Sequence, residues 1–178
     1  MEALKKKIIV ICGSTSENSA NLYIINALAK LAQHSLRPSV YPNLTLLPYF
    51  NRDVKDTMIS KDVTDFRNAV AEADGVLICT PEYVFSLPGI LKNAIEWTVS
   101  TTIFLDKPTA LITAASSGEK AHESLILIMK TLGIKTGNDL CLLISGVNSK
   151  LSAKGEITDP ELLAKLNLLI VCFNKLLN

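Results

Sequence analysis

The sequence has almost no excess of charge of either sign: 18 Lys and Arg balance 17 Asp and Glu over 178 residues, a formal net charge of +1. A basic face for nucleic acid, or an acidic face for docking onto redox partners, needs an excess that is not there. Charged residues of both signs make up only 20% against 48% apolar, far from the regime in which a chain stays disordered. Long apolar runs are missing too, none approaching the roughly 20 residues of a membrane span. Lys5, Lys6 and Lys7 before the run IIVIC imitate the start of a secretory signal, but the run is too short and no small-residue cleavage site follows. A soluble protein is expected, with neither a membrane nor a nucleic-acid partner.

Clustered cysteines are also lacking. Cys12, Cys79, Cys141 and Cys172 are widely separated, with no CxxC pair and no histidine at ligand spacing, so no metal site is expected. Three of them sit inside the apolar runs IIVICG, VLICT and LCLLIS, where a free cysteine behaves as a small buried hydrophobe. Unpaired thiols point to a reducing, cytoplasmic setting. There is no internal repeat, low-complexity tract or linker, so residues 1–178 are expected to form one domain, too short for a dehydrogenase with a separate substrate domain.

What is present is a regular alternation. Lys7 to Cys12, Val76 to Thr80, Thr109 to Ala115 and Leu140 to Ser145 are nearly all-apolar runs of strand length, the pattern of strands covered on both faces. A further extended stretch, Ser39 to Leu47, contains Pro42 and ends at Pro48, which suits an edge strand. Helical spacing of apolar residues predicts helices from Ser19 to Gln33, Ser60 to Ala73 with Ser60 as N-cap, Pro88 to Val99, His122 to Leu132 and Pro160 to Leu177. Strands alternating with helices predict an α/β fold, a doubly wound five-stranded parallel sheet with helices on both faces. The last helix carries more apolar residues than one core-facing stripe needs, which is either a broad buried face or a surface for a second subunit.

In such sheets ligands bind beyond the carboxyl ends of the strands, which directs attention to three loops. The first, Gly13 to Asn21, reads GSTSENSAN and runs into a helix. A turn glycine, clustered hydroxyls and unsatisfied helix N–H groups suit a phosphate, or else a simple helix cap with solvated turn residues. Neither GxxxxGK[ST] nor GxGxxG is present. The second, PEYVFSLPG over Pro81 to Gly89, places two aromatic rings and a carboxylate at the mouth of the sheet. It reads equally as a seat for a planar heterocycle or as ordinary packing over the sheet's end. The third, Ala115 to Gly118, has small residues that let the backbone approach a ligand.

GSTSENSAN resembles the GSxRxxSxN motif, and PEYVFSLPGILKNAIEW the PEYNxSxPGxLKNAIDW motif, of the NADPH-dependent FMN reductase family. The segment LPYFNRD is similar to that family's LPxxxxD, and KPTALITAASSG falls at its third flavin loop. The resemblance spans residues 7 to 145 and implies a flavodoxin-like sheet of order 2-1-3-4-5, bound FMN, NADPH or NADH as donor, a small-molecule electron acceptor, and assembly as a homodimer or homotetramer. It implies that Ser14, Ser16, Ser19, Ala20 and Asn21 hold the FMN phosphate. Pro81, Glu82, Tyr83, Val84, Phe85 and Ser86 are expected along the isoalloxazine, and Ser116, Ser117 and Gly118 at its pyrimidine end. No side chain is required as a catalytic acid or base, since the cofactor carries the redox chemistry. Glu82 is read as a backbone cap in preference to a proton donor, and Lys92 and His122 as surface residues that could contact the donor. Two positions depart from the motif: Ser16 replaces arginine and Val84 replaces asparagine. The competing readings are a flavodoxin-type carrier without its own NAD(P)H turnover and a scaffold that has lost flavin.

Overall fold

The computed structural model describes residues 5–178. Its centre is a five-stranded all-parallel sheet of order β2-β1-β3-β4-β5, formed by β1 Lys6–Cys12, β2 Leu36–Val40, β3 Gly75–Thr80, β4 Thr109–Ala115 and β5 Cys141–Ser145. The interleaved helices are α1 Ala20–Ala32, α2 Lys61–Ala71, α3 Gly89–Glu96, α4 Glu119–Thr131 and α5 Pro160–Leu177. The expected architecture and strand order are both present.

Period-two alternation along each strand feeds two cores. Ile8, Val10, Leu77, Cys79, Ala110 and Ile112 pack under α1 and α5, while Ile9, Ile11, Val76, Ile78 and Leu111 pack under α2, α3 and α4. β3 and β4 are buried at every position, which is why they read as continuous apolar runs and not as alternating ones.

The second strand is an edge strand, as expected, but lies earlier than Ser39 to Leu47. It spans Leu36–Val40, and Leu44–Leu46 is a short 3-10 turn. Pro38 pairs with Ile8; at an edge its missing N–H removes no bond to a further strand. In α3 the helix closes at Glu96, short of the expected Val99, with Pro88 as its N-cap. In α4 the first turn begins at Glu119, ahead of the expected His122. Ser60 caps α2 as expected, accepting from the Val63 N–H, and Ser19, the expected first residue of the first helix, is instead its N-cap, accepting from the Leu22 N–H.

On α5, Leu162, Leu166, Leu169, Ile170, Phe173 and Leu177 are buried in the chain's own core, while Leu163, Leu168 and Val171 stay 40%, 52% and 50% exposed. The broad apolar face is therefore mostly, but not wholly, covered within the chain. No helix among the described residues is long and apolar enough to cross a membrane.

Candidate functional site

Gly13 directly follows β1 and donates its N–H to the Cys79 carbonyl at 2.8 Å, so the β1–β3 ladder runs up to the mouth of the sheet. The loop then turns out through exposed Thr15 to Asn18 and re-enters at Ser19. Ser19 has extended backbone angles, and its hydroxyl accepts from Leu22 N–H at 3.2 Å. The N–H groups of Ala20 and Asn21, in the first turn of α1, have no intrahelical acceptor. With the Ser14, Ser16 and Ser19 hydroxyls they form a neutral donor set at the positive end of a helix dipole, suited to a phosphate without a lysine or arginine.

The side chain of Asn21 does not join that set. It is 3% exposed, its amide donates to the Ala114 carbonyl at 3.2 Å, and its oxygen accepts from the Cys79 thiol at 3.4 Å. This ties α1 to β3 and β4. Of Asn21, the backbone N–H in the first turn of α1 is the group left for the loop, since the side chain is engaged on the sheet.

At the second loop, Tyr83 and Ser86 exchange both N–H···O bonds at 3.0 Å around Val84 and Phe85. Both central residues have positive φ, +51° and +56°, the arrangement that hairpin turns normally reserve for Asn and Gly. For non-glycine residues this costs roughly 1–2 kcal/mol each, and a β-branched valine fits it worst. The asparagine that the related motif carries at this position suits such a backbone; Val84 does not.

Glu82 sits between the second and third loops. Its carboxylate accepts from Gly118 N–H at 3.2 Å and from Ala121 N–H at 2.9 Å, capping α4. It is thus a backbone cap, though of the neighbouring helix and not of its own loop. Gly118 holds φ +93°, and a Cβ there would approach Leu143 Cδ1 to 2.9 Å. Its N–H is committed to Glu82, and of the third loop only Ser116 and Ser117 are exposed. From the other side, Gly146 N–H and Ser145 Oγ donate to their carbonyls at 3.0 and 2.7 Å. Glu82→Ala is expected to lower unfolding stability by about 1–2 kcal/mol through loss of this cap. Glu82→Gln, which keeps one acceptor oxygen, should recover part of it in urea titrations.

The remainder of the long second motif has a different job. Asn93 on α3 and Trp97 at its C-cap, one turn apart, both donate to the Pro48 carbonyl, at 3.0 and 2.7 Å, and Phe50 N–H donates to Asn93 Oδ1 at 2.7 Å. Phe50 packs edge-to-face on Trp97 with centroids 5.2 Å apart. This clamp on the Leu47 to Asp53 link went unforeseen; the i, i+4 spacing of an amide and an indole was the available signal. A cleft of about 200 Å³ opens beside the first loop, lined by Ser14, Ser16, Glu17, Tyr41, Asn43 and Ile90. Its wall from the segment after β2 was not anticipated either.

Lys92 is paired with Glu96 on its own helix. His122 faces Thr113 at 3.0 Å, and burial pushes its imidazole below the ordinary value, so it is a half-buried neutral ring rather than a surface contact. Burial likewise raises the Cys12, Cys79 and Cys141 thiols, which favours their protonated form over the nucleophilic thiolate. Among the described residues no group of three His, Cys, Asp or Glu could hold a metal ion.

Comparison with known proteins identifies the family. The family model described as NADPH-dependent FMN reductase matches residues 6–148. A 2-hydroxy-1,4-benzoquinone reductase from a Burkholderia species is 31% identical over 161 residues, covering 87% of each chain. The NADH:(hydroxy)cinnamate reductase subunit CrdA of Vibrio ruber is 28% identical over 165 residues, 89% of this chain and 81% of that one. Among solved structures, FerB, a flavoenzyme NAD(P)H:(acceptor) oxidoreductase from Paracoccus denitrificans, superposes with a TM-score of 0.82 at 25% identity over 97% of both chains. With a match to 143 of its 178 residues, and with both motif loops brought to one mouth of the sheet, the chain belongs to the NADPH-dependent FMN reductase family.

Proposed function

We propose that this chain is an FMN-dependent NAD(P)H oxidoreductase that reduces a small organic acceptor, with a quinone as the reference case. In balanced form, NAD(P)H, one proton and a quinone give NAD(P)⁺ and the hydroquinone. One observation carries the reading. A cation-free phosphate cradle at the start of α1 and a rigid strap from Pro81 to Ser86 open at the same end of the sheet, and Glu82 ties that strap to the Ser116–Ser117 rim.

Bound FMN would supply the hydride chemistry. The chain's own contribution is binding and orientation: Ser14, Ser16 and Ser19 hydroxyls with the Ala20 and Asn21 N–H groups at the phosphate, and Tyr83 to Ser86 with Ser116 and Ser117 along the ring. Family membership and relatives named as quinone and (hydroxy)cinnamate reductases support an organic acceptor. The half-exposed Leu168 and Val171 on α5 support the homodimer or homotetramer expected above.

The test is anaerobic addition of NADH or NADPH to FMN-loaded protein. The flavin absorbance should bleach with at least one donor and return when a quinone is added. Yellow protein unmoved by both donors would make the chain a carrier, and failure to retain FMN would make it a scaffold. Because Ser16 stands in place of a cation, Ser16→Arg is expected to tighten FMN binding about tenfold at low salt, the effect of one added charge-assisted phosphate contact, as read by quenching of FMN fluorescence.

A further inference from the structure

The tip of the Tyr83–Ser86 turn carries three consecutive side chains outward: Tyr83 at 53%, Val84 at 95% and Phe85 at 74% exposure. Val84 and Phe85 both hold a left-handed backbone that neither residue favours. A valine exposed to 95% touches almost nothing in its own chain, so no internal contact offsets the strain. Strain of this kind is maintained where the side chain or the backbone shape serves a ligand. The turn's backbone alone does not explain it, since asparagine or glycine would give the same path with less strain. What Val84 and Phe85 add over those residues is apolar surface, presented at the rim of the candidate flavin mouth.

We propose that Val84 and Phe85 form an apolar clamp for the electron acceptor. The clamp favours flat organic acceptors with an alkyl substituent or a fused hydrocarbon ring, and disfavours small hydrophilic or anionic ones. This rests on the functional reading above, because it takes the acceptor to lie beside a flavin held along Pro81 to Ser86. Burying both apolar side chains against a hydrocarbon edge is worth roughly an order of magnitude in selectivity, since removal of even part of a valine and a phenylalanine surface from water is involved.

The test compares the wild type with Val84→Asn and the double variant Val84→Asn, Phe85→Asn, each loaded with FMN. Asparagine tolerates the left-handed backbone, so both variants should fold with unchanged or raised melting temperature. The ratio of kcat/KM for a 2-alkylnaphthoquinone to that for ferricyanide should fall about tenfold in the double variant and less in the single one. Calorimetric titration of the naphthoquinone without any nicotinamide should show a parallel loss of affinity. An unchanged ratio with unchanged affinity, or an equal fall for both acceptors, would overturn the clamp. Wild-type protein that holds FMN but is reduced by neither donor would overturn the functional reading instead, and the donor-free titration would still decide the clamp.

Discussion

An alanine at position 13 is expected to lower unfolding stability by about 2–3 kcal/mol, at the upper end of what overpacking costs, and to weaken FMN retention as well. A Cβ built on Gly13 lies 2.3 Å from Thr80 Oγ1 and 2.8 Å from Thr80 Cβ, with Leu91 Cδ2 at 3.2 Å. The two nearest atoms sit at the base of the Thr80 side chain, and Leu91 is itself fully buried. Thr80 is fully buried, β-branched and the last residue of β3, so relief requires moving the backbone of β1 or β3. Either movement disturbs a ligand loop, because Gly13 leads into the phosphate cradle and Thr80 into the Pro81 to Ser86 strap. Urea unfolding of the apoprotein and FMN fluorescence quenching measure the two effects separately. Adding Thr80→Gly removes both colliding atoms and should recover part of the stability. A Gly13→Ala protein as stable as the parent would show that β1 and β3 do not approach this closely.

The strands that the sequence reveals most plainly are those whose burial depends on no partner identity. β3 and β4 are buried at every position and β1 from Ile8 to Ile11, so those positions must be apolar or small, and the run itself announces the strand. β2 was misplaced because its signals conflict: Arg37, Pro38 and Ser39 are poor strand residues, tolerated only because one edge of β2 faces no neighbour. The start of α4 was missed for another reason. Its cap is Glu82, 36 residues upstream of Gly118, and a cap supplied through space leaves no local trace before Glu119.

At the site, the motif loops were legible while the division of labour inside them was not. Half of the PEYVFSLPGILKNAIEW segment shapes the mouth, and the other half, through Asn93 and Trp97, clamps the Pro48 link. Spacing along one helix shows that two side chains share a face, but what that face meets depends on the tertiary path of a link with no regular structure. The strain at Val84 was equally invisible, since a positive φ is set by the two-bond closure between Tyr83 and Ser86 and not by the valine.

Asn21 and Ser19, neighbours in one motif, are expected to fail in opposite ways when replaced. Asn21→Ala leaves the Ala114 carbonyl without its amide donor and the Cys79 thiol without one of its acceptors, in a region 3% or less exposed at Asn21, Cys79 and Ala114. An unsatisfied buried carbonyl and the vacated volume together should cost about 2–3 kcal/mol of stability. The N–H of residue 21 survives the change, so FMN affinity of the folded protein should alter little. Ser19→Ala removes a helix cap worth about 1 kcal/mol and also an O–H that can donate to phosphate while its oxygen accepts from Leu22. Its stability loss should be the smaller of the two and its loss of FMN affinity the larger, about tenfold. Denaturant midpoints of apoprotein and FMN dissociation constants, measured on both variants, decide the matter. If Asn21→Ala loses FMN while keeping its stability, the amide reaches the ligand and the buried bonds to Ala114 and Cys79 are not the ones that hold it.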